Sequence, residues 1–138
     1  MKILFAAAEI APLTKVGGLA DVVGSLPTEL IGRGHDVRVI VPKYGFVDYV
    51  GYKSRTIVNS LVVFSLGQYR EMRVEQIEIE KVAVYLVSTD VFAASSSVYG
   101  ENEIEKFWVF CDGICEALPY LGWQPAIIHC HDWHTGLI

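Results

Sequence analysis

Hydrophobic and polar positions divide this chain into short apolar runs separated by helical stripes. Residues 2–8, KILFAAA, form a continuous apolar run of strand length, the pattern of a strand buried on both faces of a parallel sheet. Pro12 and the pair Gly17-Gly18 follow it. Leu19, Val22, Val23, Leu26 and Leu30 then recur at i, i+3, i+4, i+7 and i+11, one stripe of a helix. Pro27 falls inside that stripe. An interior proline costs ~3 kcal/mol, whereas burying each of those apolar side chains is worth ~1.5–3 kcal/mol before entropy. A helix kinked near Ser25 and Pro27 is expected. Residues 32–35, GRGH, supply glycine for its C-terminus, and residues 36–42, DVRVIVP, alternate into a second strand ending at Pro42. The opening of the chain therefore predicts a βαβ unit.

From Tyr44 to Ser60 the periodicity is weak, and a long excursion is expected. LVVFSL, RVEQIEIE and KVAVYLVS (61–66, 73–80 and 81–88) predict strands, the last two joined as an inserted hairpin at Glu80-Lys81. Residues 94–103, ASSSVYGENE, predict a loop. Ile104, Phe107, Trp108, Cys111, Cys115 and Leu118 step by three or four residues along a predicted helix, with Glu101, Glu103 and Glu105 near its positive end and Pro119 near its stop. AIIHCH is a short apolar strand, and DWHTGLI begins a helical element that the chain does not finish, which points to a fragment of a longer protein. The class is α/β: one domain over residues 1–138, with a mostly parallel sheet flanked by helices.

Composition narrows the function. With 138 residues, 52% of them hydrophobic, the chain can bury one core and not two. Eleven basic against sixteen acidic residues give a net charge of −5, with no Lys/Arg cluster to follow a phosphate backbone, so nucleic acid is excluded as the expected partner. No stretch approaches the ~18 uncharged apolar residues of a membrane span. Glu9 interrupts the apolar run too early for a signal peptide core. Cys111, Cys115 and Cys130 form no C-x-x-C pair, and reduced, mostly buried thiols in a cytoplasmic protein are expected.

Two segments carry candidate chemistry. In PLTKVGGLADV, Lys15 leads into Gly17 and Gly18 between a buried strand and a helix N-terminus, where backbone N–H groups and the helix dipole favour an anion. The glycines remove Cβ atoms that would hold a diphosphate away, and Lys15 adds a point charge. The spacing fits neither G-x-G-x-x-G nor the P-loop. Spacing alone leaves an anion cradle and a tight turn with a solvated lysine both open, and Asp21 has the plain role of a first-turn carboxylate. In HCHDWHT, His129 and His131 share one side of a strand, with Asp132 and His134 at its C-terminal end, where open α/β sheets place ligands. Neutral imidazoles and Asp132 could also bind zinc, but the order H-x-H-D-x-H departs from the H-x-H-x-D-H of metallo-β-lactamase-like hydrolases. His129, directly after Ile128, is the candidate for a hydrogen-bonded core histidine.

Taken together, the opening segment KILFAAAEIAPLTKVGGLADVVGSLPTELIGRGHDVRVIVPKY and the closing IIHCHDWHTGL resemble the N-terminal domain of bacterial-type glycogen and starch synthases, whose signatures read K-T-G-G-L-A-D-V and I-I-H-x-H-D-W-H-T. The resemblance implies the acceptor-side, Rossmann-like half of a GT-B fold, without the second, nucleotide-binding domain. It implies a retaining glycosyltransferase that moves glucose from ADP-glucose to the non-reducing end of an α-1,4-glucan with no metal or other cofactor. On that analogy Lys15, Gly17 and Gly18 meet the donor diphosphate, Asp21 and Tyr99 bind substrate, and Asp132 and His134 are catalytic. Inactivity of this chain by itself is expected. Val16, Lys106 and Ala126 stand where the family carries threonine, arginine and aspartate, and they leave the choice of ADP-glucose or UDP-glucose open. The competing readings are a metal-dependent hydrolase built on His129, His131, Asp132 and His134, and a non-catalytic sugar- or nucleotide-binding module.

Overall fold

The structure is a computed structural model and describes residues 1–100 and 102–138; the expected first-turn role of Glu101 lies outside them. Six strands form one sheet in the order β3-β4-β5-β2-β1-β6. β1 (Lys2–Ala6), β2 (Asp36–Pro42), β5 (Val82–Ser88) and β6 (Ile127–Cys130) pair in parallel, and β3 (Arg55–Ser65) and β4 (Gln68–Ile79) extend the sheet antiparallel from β5. The expected hairpin is thus part of a three-stranded meander in the main sheet. Its two turns have residues at positive φ: Leu66 and Gly67, and Glu80 and Lys81. Both central positions are left-handed, as a tight two-residue hairpin demands, although Glu80 and Lys81 lack the residue types that make such turns recognisable.

Alternation along β1 explains its unbroken apolar run. Ile3, Phe5 and Ala7 pack on the side of α1 (Gly18–Gly32) with Val23, Val37, Val39 and Val84, while Leu4, Ala6 and Ala8 join Tyr85, Phe107, Phe110 and Ile114 on the side of α3 (Glu103–Ala117). With a helix on each side, every inner position is apolar. α1 runs unbroken through Pro27, which is buried. Proline has no N–H to donate, so its position on the packed side replaces a lost hydrogen bond with apolar burial. After α1, Gly34 at φ 84° donates to Ile31 O and His35 donates to Leu30 O, the paired closure that a left-handed glycine permits.

Three expectations require correction. β3 begins at Arg55, inside the expected excursion. It is an edge strand with register shifts between Thr56 and Val58 and between Val58 and Leu61, and such irregularity erases the period-2 signal. In α3 the buried positions include Phe107, Val109, Phe110, Cys111, Ile114 and Ala117, whereas Ile104, Trp108 and Cys115 of the expected stripe are exposed. Ile104 and Trp108 instead border a shallow apolar pocket with Trp133 and Leu137. Of the cysteines only Cys111 is buried, because Cys130 lies on the edge strand β6 and Cys115 on the outer side of α3. Among the described residues, no helix is long and apolar enough to cross a membrane.

Candidate functional site

The parallel strands β1 and β6 point their C-terminal ends the same way, and the segments that leave them meet. After β1 the chain runs through Glu9 to the lysine–glycine loop; after β6 it turns through Asp132 and His134. Tyr99, from the loop before α3, joins the two. Its hydroxyl donates to Glu9 Oε1 at 3.1 Å, and its ring lies over His134 with centroids 5.0 Å apart. The expected site residues therefore converge on one end of the sheet.

Glu9 organises this end and was not singled out from the sequence as a site residue. It is 1% exposed, yet its carboxylate is satisfied: Oε2 accepts the backbone N–H of Val16 at 2.6 Å and of Gly17 at 3.3 Å. An ionised group without such donors would be costly to bury. An acidic residue directly behind a buried apolar strand was the available signal.

Lys15 and Asp21 form an ion pair at 2.7 Å, with both side chains more than half exposed. The lysine is thus held beside the first turn of α1 while staying open to solvent. Gly17 caps α1 with no side chain of its own; its N–H is taken by Glu9, and Asp21 is the acidic residue of the first turn. Neither glycine is demanded by the fold. Gly17 has an extended backbone that any residue adopts, and a Cβ there would make only an ordinary contact, 3.7 Å from Glu9 Oε1. A Cβ on Gly18 would meet nothing within 4 Å. The space beside Gly18 is open to an incoming group.

At the other wall Asp132 is exposed and adopts φ 64°, ψ −179°, a region nearly restricted to glycine and costing ~1–3 kcal/mol for other residues. Two side chains hold it there: Asp132 Oδ1 accepts the N–H of Trp133 at 2.6 Å, and the Thr135 hydroxyl is shared between the carbonyls of His131 and Asp132. His134 is buried among Tyr99, Phe107 and Trp133. Burial pulls its pKa down, opposed by Asp132, Glu103 and Glu9. His131 is pulled down to about 4, first by burial and then by His129. His129 and His131 stack with centroids 4.2 Å apart, so they do share a side. The core histidine is nevertheless His131: His129 is exposed on the edge strand. Among the described residues, no group of three His, Cys, Asp or Glu side chains is gathered in a way that could hold a metal ion.

The three departures fall differently. Val16 exposes its side chain and contributes its backbone N–H to Glu9. Lys106 is buried, and its ammonium donates to the carbonyls of Ser97 and Val98, immediately before Tyr99. An ammonium serves these two acceptors without a guanidinium fork. Ala126 precedes the N-terminal end of β6 and donates its N–H to Lys2 O, at the end of the sheet away from the site.

A family model for the starch synthase catalytic domain matches residues 2–138. The chain belongs to this family. Glycogen synthases from Gloeobacter violaceus and Anoxybacillus flavithermus are 45% and 41% identical to it over its full length, which corresponds to 30% and 29% of those proteins. The chain thus spans less than a third of the relatives it matches. The catalytic domain of starch synthase IV from Arabidopsis thaliana, bound to ADP and acarbose, superposes with a TM-score of 0.88 at 32% identity, covering 98% of this chain and 28% of that one. Membership in the starch synthase family bears out the GT-B half-fold.

Proposed function

We propose that this chain provides the acceptor-side half of the active site in a glycogen or starch synthase that transfers glucose from ADP-glucose to the non-reducing end of an α-1,4-glucan with retention. The observation that carries the reading is the lysine–glycine loop. Lys15 is exposed beside the first turn of α1, and Gly18 leaves open space that internal packing does not require. An ammonium and a helix dipole stabilise the charge that grows on a departing diphosphate. Asp132, exposed across the site, and Tyr99 are suited to hold sugar hydroxyls, and holding donor and acceptor together lowers the barrier further. The ADP and acarbose carried by the starch synthase IV relative support a nucleotide-sugar donor and a glucan acceptor here. The chemistry needs no metal, since Lys15 and the helix end supply the positive charge. Three free thiols fit a cytoplasmic setting.

The test is glucose transfer to glycogen by the full-length protein, comparing ADP-glucose with UDP-glucose in the presence of EDTA. Transfer from ADP-glucose that resists EDTA supports the reading. Transfer from UDP-glucose alone overturns the donor assignment, and loss of transfer with EDTA, restored by a divalent metal, overturns the metal-free mechanism.

A further inference from the structure

We propose that Glu9 is the positioning residue of the lysine–glycine loop and couples that loop to Tyr99. The proposal rests on reading the loop as the donor-phosphate site.

One buried carboxylate accepts from three donors on two segments far apart in sequence: Val16 N–H, Gly17 N–H and Tyr99 O–H. Lys15 itself is paired with Asp21. The two amides that a Gly-rich loop would be expected to offer to an anion are therefore already occupied by the protein's own anion. Their use is internal: they set where Lys15 and the end of α1 sit. Through Tyr99 the same carboxylate fixes a ring that packs on His134, so all three segments of the site are referenced to Glu9. Burial and Glu9 both raise the Tyr99 phenol above its ordinary pKa, keeping the proton that makes this hydrogen bond.

This role depends on geometry rather than on charge, which two substitutions separate. In E9Q the amide oxygen can accept both backbone N–H groups while the NH₂ donates to Tyr99, whose hydroxyl turns to accept. E9D keeps the charge but shortens the reach by one methylene, so the three contacts cannot all be made. In the full-length protein, E9Q is expected to stay within about threefold of wild type, while E9D raises KM for ADP-glucose by about tenfold or more and lowers kcat with it, leaving KM for glycogen within about twofold. A merely structural defect would move all three parameters together. E9D with an unchanged donor KM overturns the proposal, as does E9Q as damaged as E9D. If the wild-type protein transfers no glucose, the functional reading fails and amide hydrogen exchange decides this one. Faster exchange at Val16 and Gly17 in E9D, with native rates in E9Q, supports it; equal rates in all three overturn it.

Discussion

Lys15 Nζ lies 2.7 Å from Asp21 Oδ1, a lysine leading into the loop and an aspartate in the first turn of the helix that follows. The pair is exposed, so it contributes little to stability, and its consequence is orientation. On the proposed reading, an arriving diphosphate would compete with Asp21 for an ammonium already held near the first turn of α1. Lys15→Ala is expected to lower kcat/KM for ADP-glucose by about a hundredfold while moving Tm by no more than about 2 °C. Transfer kinetics and a thermal melt of the full-length protein check both halves.

Gly18 and Gly45 make opposite predictions. A Cβ on Gly18 meets nothing, whereas one on Gly45 would lie 2.2 Å from the backbone carbonyl oxygen of Ala93. Gly18→Ala should leave stability unchanged or raise it by about 0.4–1 kcal/mol through the unfolded chain, yet raise KM for ADP-glucose. Gly45→Ala should cost about 1–3 kcal/mol, since a backbone atom cannot move aside cheaply. Denaturant unfolding of the two variants beside donor kinetics separates the roles.

Asp132 is strained in a glycine-like conformation. Asp132→Gly releases the strain and Asp132→Ala keeps it without the hydrogen bond to Trp133, so the glycine variant should be the more stable by about 1–2 kcal/mol. Both should lose most of the transfer activity. Equal stability of the two would mean that the backbone there is not strained.

His131 gives a pH dependence of defined sign. Its folded pKa of about 4 lies below the ordinary 6.5, so between those values the unfolded chain binds more protons than the folded one. Stability is therefore fully retained above about pH 6.5 and declines as pH falls toward 4, by up to about 3 kcal/mol. His134, shifted in the same direction, adds to the decline. Unfolding free energies measured from about pH 7 to pH 4.5 should show this slope, and His131→Phe should flatten it.

Much of the architecture was readable because its signals are local. The apolar run of β1, the stripe of α1 and the alternation of β2 are each set by burial of that element against the sheet, and they appear as expected except that Val22 of the α1 stripe is exposed. The edge strand β3 was hidden because bulges break its alternation. The buried side of α3 was misread because Phe107 belongs both to the true inner positions, with Phe110 and Ile114, and to an exposed row with Ile104 and Trp108. In the candidate site, the placing of Lys15, Gly17, Gly18 and Asp132 beyond strand ends was legible from the segments that carry them. Glu9 was not, because its hydrogen bond to Tyr99 spans 90 positions and only its place directly behind a buried apolar strand signals it locally.

The two margins of the sheet are unequal. β3 has register shifts in its pairing with β4, whereas β6 shows none in its pairing with β1 and leaves Ile127, His129 and Cys130 exposed. An unprotected strand margin is a template for another extended backbone. An extended segment paired along β6 would cover Cys130, and a thiol-reactive probe there would report it as loss of labelling.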